Sequence, residues 1–176
     1  MNLYKDYVKL SEAWENLLCG IDWDLFCTFT YAASVWSTEK IVRDWSRVHR
    51  VTQAETWGCS VNNKKFRKAI RNEEASPYLL AIEPHKSGTL HAHVLSGQRS
   101  ANGACKNTLD GRSLKINFEK LCTNAGFSSI SPVRKNKRAR TYVVKTSRYC
   151  SKNPDAYLDW YGLGDGIAAP SVGSCS

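Results

Sequence analysis

No two cysteines of this chain stand in C-x-x-C spacing, and no apolar run approaches the about 20 residues of a membrane helix. The seven cysteines (19, 27, 59, 105, 122, 150 and 175) are odd in number and scattered. With no signal peptide in view, this usage argues against a disulfide frame or a zinc ribbon and predicts reduced thiols in a soluble, intracellular protein without a membrane partner. Internal repeats and linkers between large segments are also missing, so 176 residues suit one domain with a real hydrophobic core. Acids are absent from one stretch altogether. Residues 134–152 hold eight bases and no acid, whereas residues 1–24 hold five acids (Asp6, Glu12, Glu15, Asp22, Asp24) and two bases. Overall, 25 Lys+Arg face 16 Asp+Glu, a formal net charge of +9. That balance favours an anionic partner, most economically nucleic acid, and its concentration in one segment predicts a docking face.

Periodicity then divides the chain. Tyr4, Val8, Leu10, Trp14, Leu17 and Leu18 form a helical stripe over residues 4–19. Asp24 to Tyr31 reads as a central strand with Phe26, Thr28 and Thr30 on one face and Cys27, Phe29 and Tyr31 on the other. Ser37 opens a helix carrying Ile41, Val42, Trp45 and Val48. Residues 61–76, with Lys64, Lys65, Arg67, Lys68 and Arg71, fit either a basic helix or a loop. Tyr78 to Glu83 and Thr89 to Ser96 read as two strands joined by the turn Pro84–Gly88. Residues 97–111 form a polar loop, and Phe118, Leu121 and Cys122 lie on a short helix that Gly126 ends. Phe127 to Val133 alternates as a strand, with Pro132 marking an edge. A further helix spans Arg138 to Ser151, and from Gly162 the composition becomes that of a flexible tail. The expected class is α+β, an antiparallel sheet with helices packed against it.

Three of the four histidines fall in Glu83-Pro-His85-Lys-Ser-Gly-Thr-Leu-His91-Ala-His93. Alternation along a strand points His91 and His93 the same way, with Leu90, Ala92 and Val94 toward the core. The turn brings Glu83 to the same end of the hairpin. If it faces with the imidazoles, one carboxylate and two nitrogens form a mixed set suited to Mn²⁺ or Mg²⁺, which Zn²⁺ or Co²⁺ also fits. His85 is expected to be exposed in the turn. Histidines that merely decorate a solvated hairpin are the competing possibility.

The basic segment holds two Tyr-x-x-Lys units, Tyr142 with Lys145 and Tyr149 with Lys152, seven residues apart and so on one helical face. A tyrosine of pKa near 10 is a poor nucleophile at neutral pH. A nearby cation stabilises its phenolate, and a metal polarises the phosphate it attacks. Taken alone, the same pattern is that of an amphipathic helix with its tyrosines packed on a sheet.

Together and in order, these pieces resemble the HUH endonucleases. Phe26-Cys-Thr-Phe-Thr-Tyr31 is similar to their first motif, Leu90-His-Ala-His-Val-Leu95 to the second and Tyr149-Cys-Ser-Lys152 to the third. Histidines before tyrosine is the order of rolling-circle replication initiators from small single-stranded DNA viruses, phages and plasmids; conjugative relaxases have the reverse. The resemblance implies a five-stranded antiparallel sheet of RRM-like, ferredoxin-like type over residues 1–161, with 162–176 as tail. It implies that Glu83, His91 and His93 hold Mn²⁺ or Mg²⁺, that Tyr149 is the nucleophile and that Lys152 assists it. The product is a 5′-phosphotyrosine link and a free 3′-hydroxyl that primes replication. Implied partners are single-stranded DNA such as an origin stem-loop, a separate helicase and a host polymerase, with assembly into oligomers on DNA. The compartment would be cytoplasm for a phage or plasmid protein and nucleus for a eukaryotic virus protein.

The chain departs from the pattern in two ways. Thr146, Ser147 and Arg148 separate the Tyr-x-x-Lys units that many relatives join directly, which leaves Tyr142 with Lys145 as the alternative nucleophile. No G-x-x-x-x-G-K-[ST] loop occurs, so unwinding duplex requires another protein or another domain. Arg134, Lys135, Lys137, Arg138, Arg140 and Arg148 are the expected phosphate contacts, with the 64–71 cluster as a second set. Among the tryptophans, 36 and 57 lie next to loops and are candidates for base stacking, and the others read as core. Two rivals remain. A single-tyrosine transposase shares the motif order but usually carries glutamine one turn after the tyrosine, where this chain has Asn153 or Thr146. A non-catalytic single-stranded nucleic-acid-binding domain would carry its H-x-H incidentally.

Overall fold

The computed structural model describes residues 12, 13, 16, 18, 21–32, 35, 37–84, 89–98, 109–133 and 157–162. In chain order they form β1 (Asp22–Tyr31), α1 (Thr38–Thr56), α2 (Lys64–Arg71), β2 (Tyr78–Pro84), β3 (Leu90–Gln98), α3 (Gly111–Leu121), β4 (Ala125–Pro132) and β5 (Tyr157–Tyr161). The five strands make one antiparallel sheet in the order β4-β1-β3-β2-β5. The first four strands follow the split β-α-β arrangement of ferredoxin-like folds, with β5 added beside β2. This is the α+β class expected from the sequence. Among the described residues no helix is long and apolar enough to cross a membrane.

One face of the sheet carries the core. β1 contributes Leu25, Cys27 and Phe29, β2 contributes Tyr78, Leu80 and Ile82, and β3 contributes Ala92 and Val94. α1 lays Ile41, Trp45 and Val48 on this face, a spacing of one helical turn each, and α3 adds Leu114 and Phe118. The Phe118 ring meets Phe29 at 4.6 Å between centroids. Between the helices, Asn117 Nδ2 donates to Thr52 Oγ1 at 3.1 Å and to Glu55 Oε2 at 2.7 Å. The three helices start on side-chain caps: Ser37, Asn63 and Asp110 each accept from an orphan backbone N–H.

The ambiguous basic stretch is a helix. Asn63 caps α2, only Phe66 and Ala69 turn inward, and all five lysines and arginines are exposed. Three expectations need correction. α3 ends at Cys122, where Asn124 takes a left-handed turn (φ 64°), and Gly126 belongs to β4 instead of ending the helix. A Cβ on Gly126 would lie 2.7 Å from Ala32 N, so the close pairing of β4 with β1 requires glycine there. Tyr157–Tyr161, unassigned from its pattern, is the edge strand β5, and its Trp160 is 39% exposed instead of core. Cys27, Cys59 and Cys122 are unpaired. Burial raises the Cys27 thiol, and burial with the Asp44 charge pushes Cys122 to about 12, so both stay protonated.

Candidate metal centre

Glu83 pairs with His91 and Ala81 with His93 across β2 and β3. Residues directly opposite in an antiparallel pair share a face, as do residues two apart on one strand. The carboxylate and both imidazoles therefore project together, away from α1 and α3. His91 Nε2 lies 3.0 Å and His93 Nε2 3.2 Å from the same oxygen, Glu83 Oε1, which accepts from both. The two rings stand nearly perpendicular, at 84°, with centroids 4.9 Å apart. One ligand atom from each residue lies within 4.8 Å of the others. A carboxylate oxygen and two imidazole nitrogens gathered so closely are a group that can hold a metal ion. No cysteine or further acid joins this group among the described residues.

Burial alone would raise the Glu83 carboxyl, but the hydrogen bonds and charge of His91 and His93 outweigh it and hold the pKa at about 2. Glu83 is therefore an anion at neutral pH. The site opens on one side: the Glu83 and His91 side chains are 13% and 14% exposed, and His93 sits deeper at 5%.

His93 is fixed from β1. Thr28 lies opposite His93, and its Oγ1 is 3.0 Å from His93 Nδ1. The Phe26 ring stacks on the imidazole at 5.8 Å and 13° between planes. An imidazole that offers its Nε2 lone pair to a cation must carry its proton on Nδ1. Thr28 Oγ1 can accept that proton's hydrogen bond. It can equally donate to a bare Nδ1 when the Nε2–H bonds Glu83. Sequence reasoning missed Thr28 because the β1–β3 register cannot be read from either strand alone.

On the same face Leu79, Ala81 and Leu95 are 1% exposed or less. Trp23, paired with Gly97 further along this face, donates its indole N–H to Leu18 O at 2.8 Å. Trp57, a candidate base platform, instead meets Phe66 edge-on at 5.4 Å and closes the α1–α2 corner. Tyr142, Lys145, Tyr149, Lys152, Arg134, Lys135, Lys137, Arg138, Arg140 and Arg148 lie outside the described residues, as do His85, Trp36 and the 163–176 part of the tail.

No protein-family model, no curated protein and no solved structure matches this chain.

Proposed function

We propose that this protein is a metal-dependent, sequence-specific single-stranded DNA endonuclease of the HUH type, which nicks and rejoins DNA to initiate rolling-circle replication. The observation that carries it is the convergence of His91 and His93 on Glu83 Oε1, on the sheet face opposite the helices. A divalent ion held there, Mn²⁺ or Mg²⁺, would polarise a phosphate oxygen of the bound strand as a Lewis acid. Glu83 brings a full negative charge to the site, and Thr28 with Phe26 holds the His93 ring in its plane. Tyr149 attacks the phosphorus. A Tyr Oη–P bond forms as the P–O3′ bond breaks, the phenolic proton passes to solvent water, and the departing 3′ oxygen takes up a proton from water. Lys152 stabilises the phenolate, and the reverse transfer rejoins the ends.

A labelled origin-like single strand incubated with the protein and Mn²⁺ should give a covalent adduct on a denaturing gel. Tyr149→Phe should eliminate it, and His91→Ala or chelation should suppress it. Loss with Tyr142→Phe but not Tyr149→Phe would transfer the nucleophile to Tyr142. A protein that never cross-links yet keeps salt-sensitive affinity in every variant is a non-catalytic binding module.

A further inference from the structure

Phe127 is the most exposed large apolar side chain among the described residues, at 69%. A lone exposed ring carries no message on most surfaces. This one has an address. The β1–β4 register slips between Phe29 and Tyr31, so that Gly126 and Phe127 together oppose Thr30. Residues on a bulge share the face of the residue they oppose, here the face of Thr28 and Thr30. Thr30 Oγ1 donates to Phe127 O at 2.8 Å and pins the bulge. On the other side of β1, Thr28 pairs with His93 and Phe29 with Ala92, and one further step puts Thr30 beside His91. His91 in turn opposes Glu83. Phe127, Thr30, His91 and Glu83 thus form one row across four strands of the sheet. Two inter-strand steps, about 10 Å, separate the phenyl ring's strand from that of His91. Between them stand Thr30 and, one position along, Thr28 and Ser129, all short and polar.

We infer that Phe127 is a stacking platform for an unpaired nucleobase next to the phosphate held at the metal centre. The inference deepens the proposed function and rests on it. A flat hydrophobic ring open to solvent, small polar neighbours and a basic chain are what a single strand requires: a π-face for a base and an unobstructed path for its backbone. A duplex base, already stacked on both sides, cannot use the ring. Phe127 therefore selects single strands, and it acts on the nucleotide beside the one under attack.

The test measures affinity of the full chain for a fluorescent single strand and for the matching duplex, both in EDTA so that no cleavage occurs. Mn²⁺ binding is read separately by EPR. Phe127→Ala should weaken single-strand binding by about 5- to 100-fold, Phe127→Leu nearly as much, and Phe127→Trp should restore it. Duplex binding and Mn²⁺ binding should not change. Ile116→Ala, which removes an exposed apolar side chain from α3 on the helix face, should have no effect. If Phe127→Leu binds single strands like the wild type, or if duplex affinity falls in parallel, the platform is refuted. It is also refuted if the wild type is a dimer by sedimentation and Phe127→Ala a monomer, because the ring on edge strand β4 is then a contact between copies. A wild type with no affinity for single strands, either in EDTA or with Mn²⁺, would instead overturn the nuclease proposal itself.

Discussion

A threonine hydroxyl both donates and accepts, and at position 28 it faces an imidazole that must carry its proton on Nδ1 if a cation is to bind at Nε2. With Oγ1 3.0 Å from His93 Nδ1, Thr28 serves either tautomer without moving. Thr28→Val should weaken Mn²⁺ binding about 10-fold, measured by titration, while Thr28→Ser should recover most of it and leave the fold intact. The two halves of this contact differ in how far they can be read from sequence. That Thr28 shares a face with Phe26 and Thr30, and His91 with His93, follows from the two-residue period of any strand. That Thr28 meets His93 depends on a pairing between residues 65 apart, which no local pattern encodes. The facing of Glu83 lies between these cases, because a short hairpin leaves few registers open.

At the scale of elements, local chemistry governs the helices and long-range pairing governs the strands. Ser37 announces α1 by type and position, and its hydroxyl accepts from Lys40 N at 3.1 Å. Asp110 does the same for α3, accepting from Ser113 N at 2.7 Å, and this bond holds its carboxyl below the usual range. Asp110→Ala should cost about 1 kcal/mol of stability in urea denaturation, and Asp110→Asn much less. β5 shows the opposite case. Tyr157-Leu-Asp-Trp-Tyr161 is too short and lacks the apolar–polar alternation that would make it stand out, and it becomes a strand because β2 offers it a free edge. Pro132 is readable for the converse reason, since a residue with no N–H suits the outer strand β4. A similar constraint fixes Gly97 of β3, where a Cβ would lie 2.5 Å from Asp22 O and force β1 from the strand that carries both histidines.

For the molecule as a whole, one interior imidazole makes stability fall in mild acid. His49 is 2% exposed, with its Nε2 2.9 Å from Ser76 O. It is packed among the rings of Trp45, Tyr78 and Tyr161, and Asp159 accepts from the Tyr78 hydroxyl beyond. Burial lowers its pKa from 6.5 to about 4, with the Ser76 carbonyl opposing part of that shift. Between those values the unfolded chain binds a proton that the native state refuses. Stability from this group is therefore complete above pH 6.5 and falls as the pH drops toward 4, by at most about 1.4 kcal/mol per pH unit. Chemical denaturation across that range should show the slope reduced in His49→Gln relative to wild type. The metal centre has a different relation to unfolding, because Glu83, His91 and His93 all come from the single β2–β3 hairpin, with His91 only eight residues after Glu83. Closing so short a loop costs little entropy, so even a denatured chain keeps its three donors within reach of one another. A cation then retains some hold on the denatured ensemble, and it protects the native state less than its affinity for the folded protein alone would suggest.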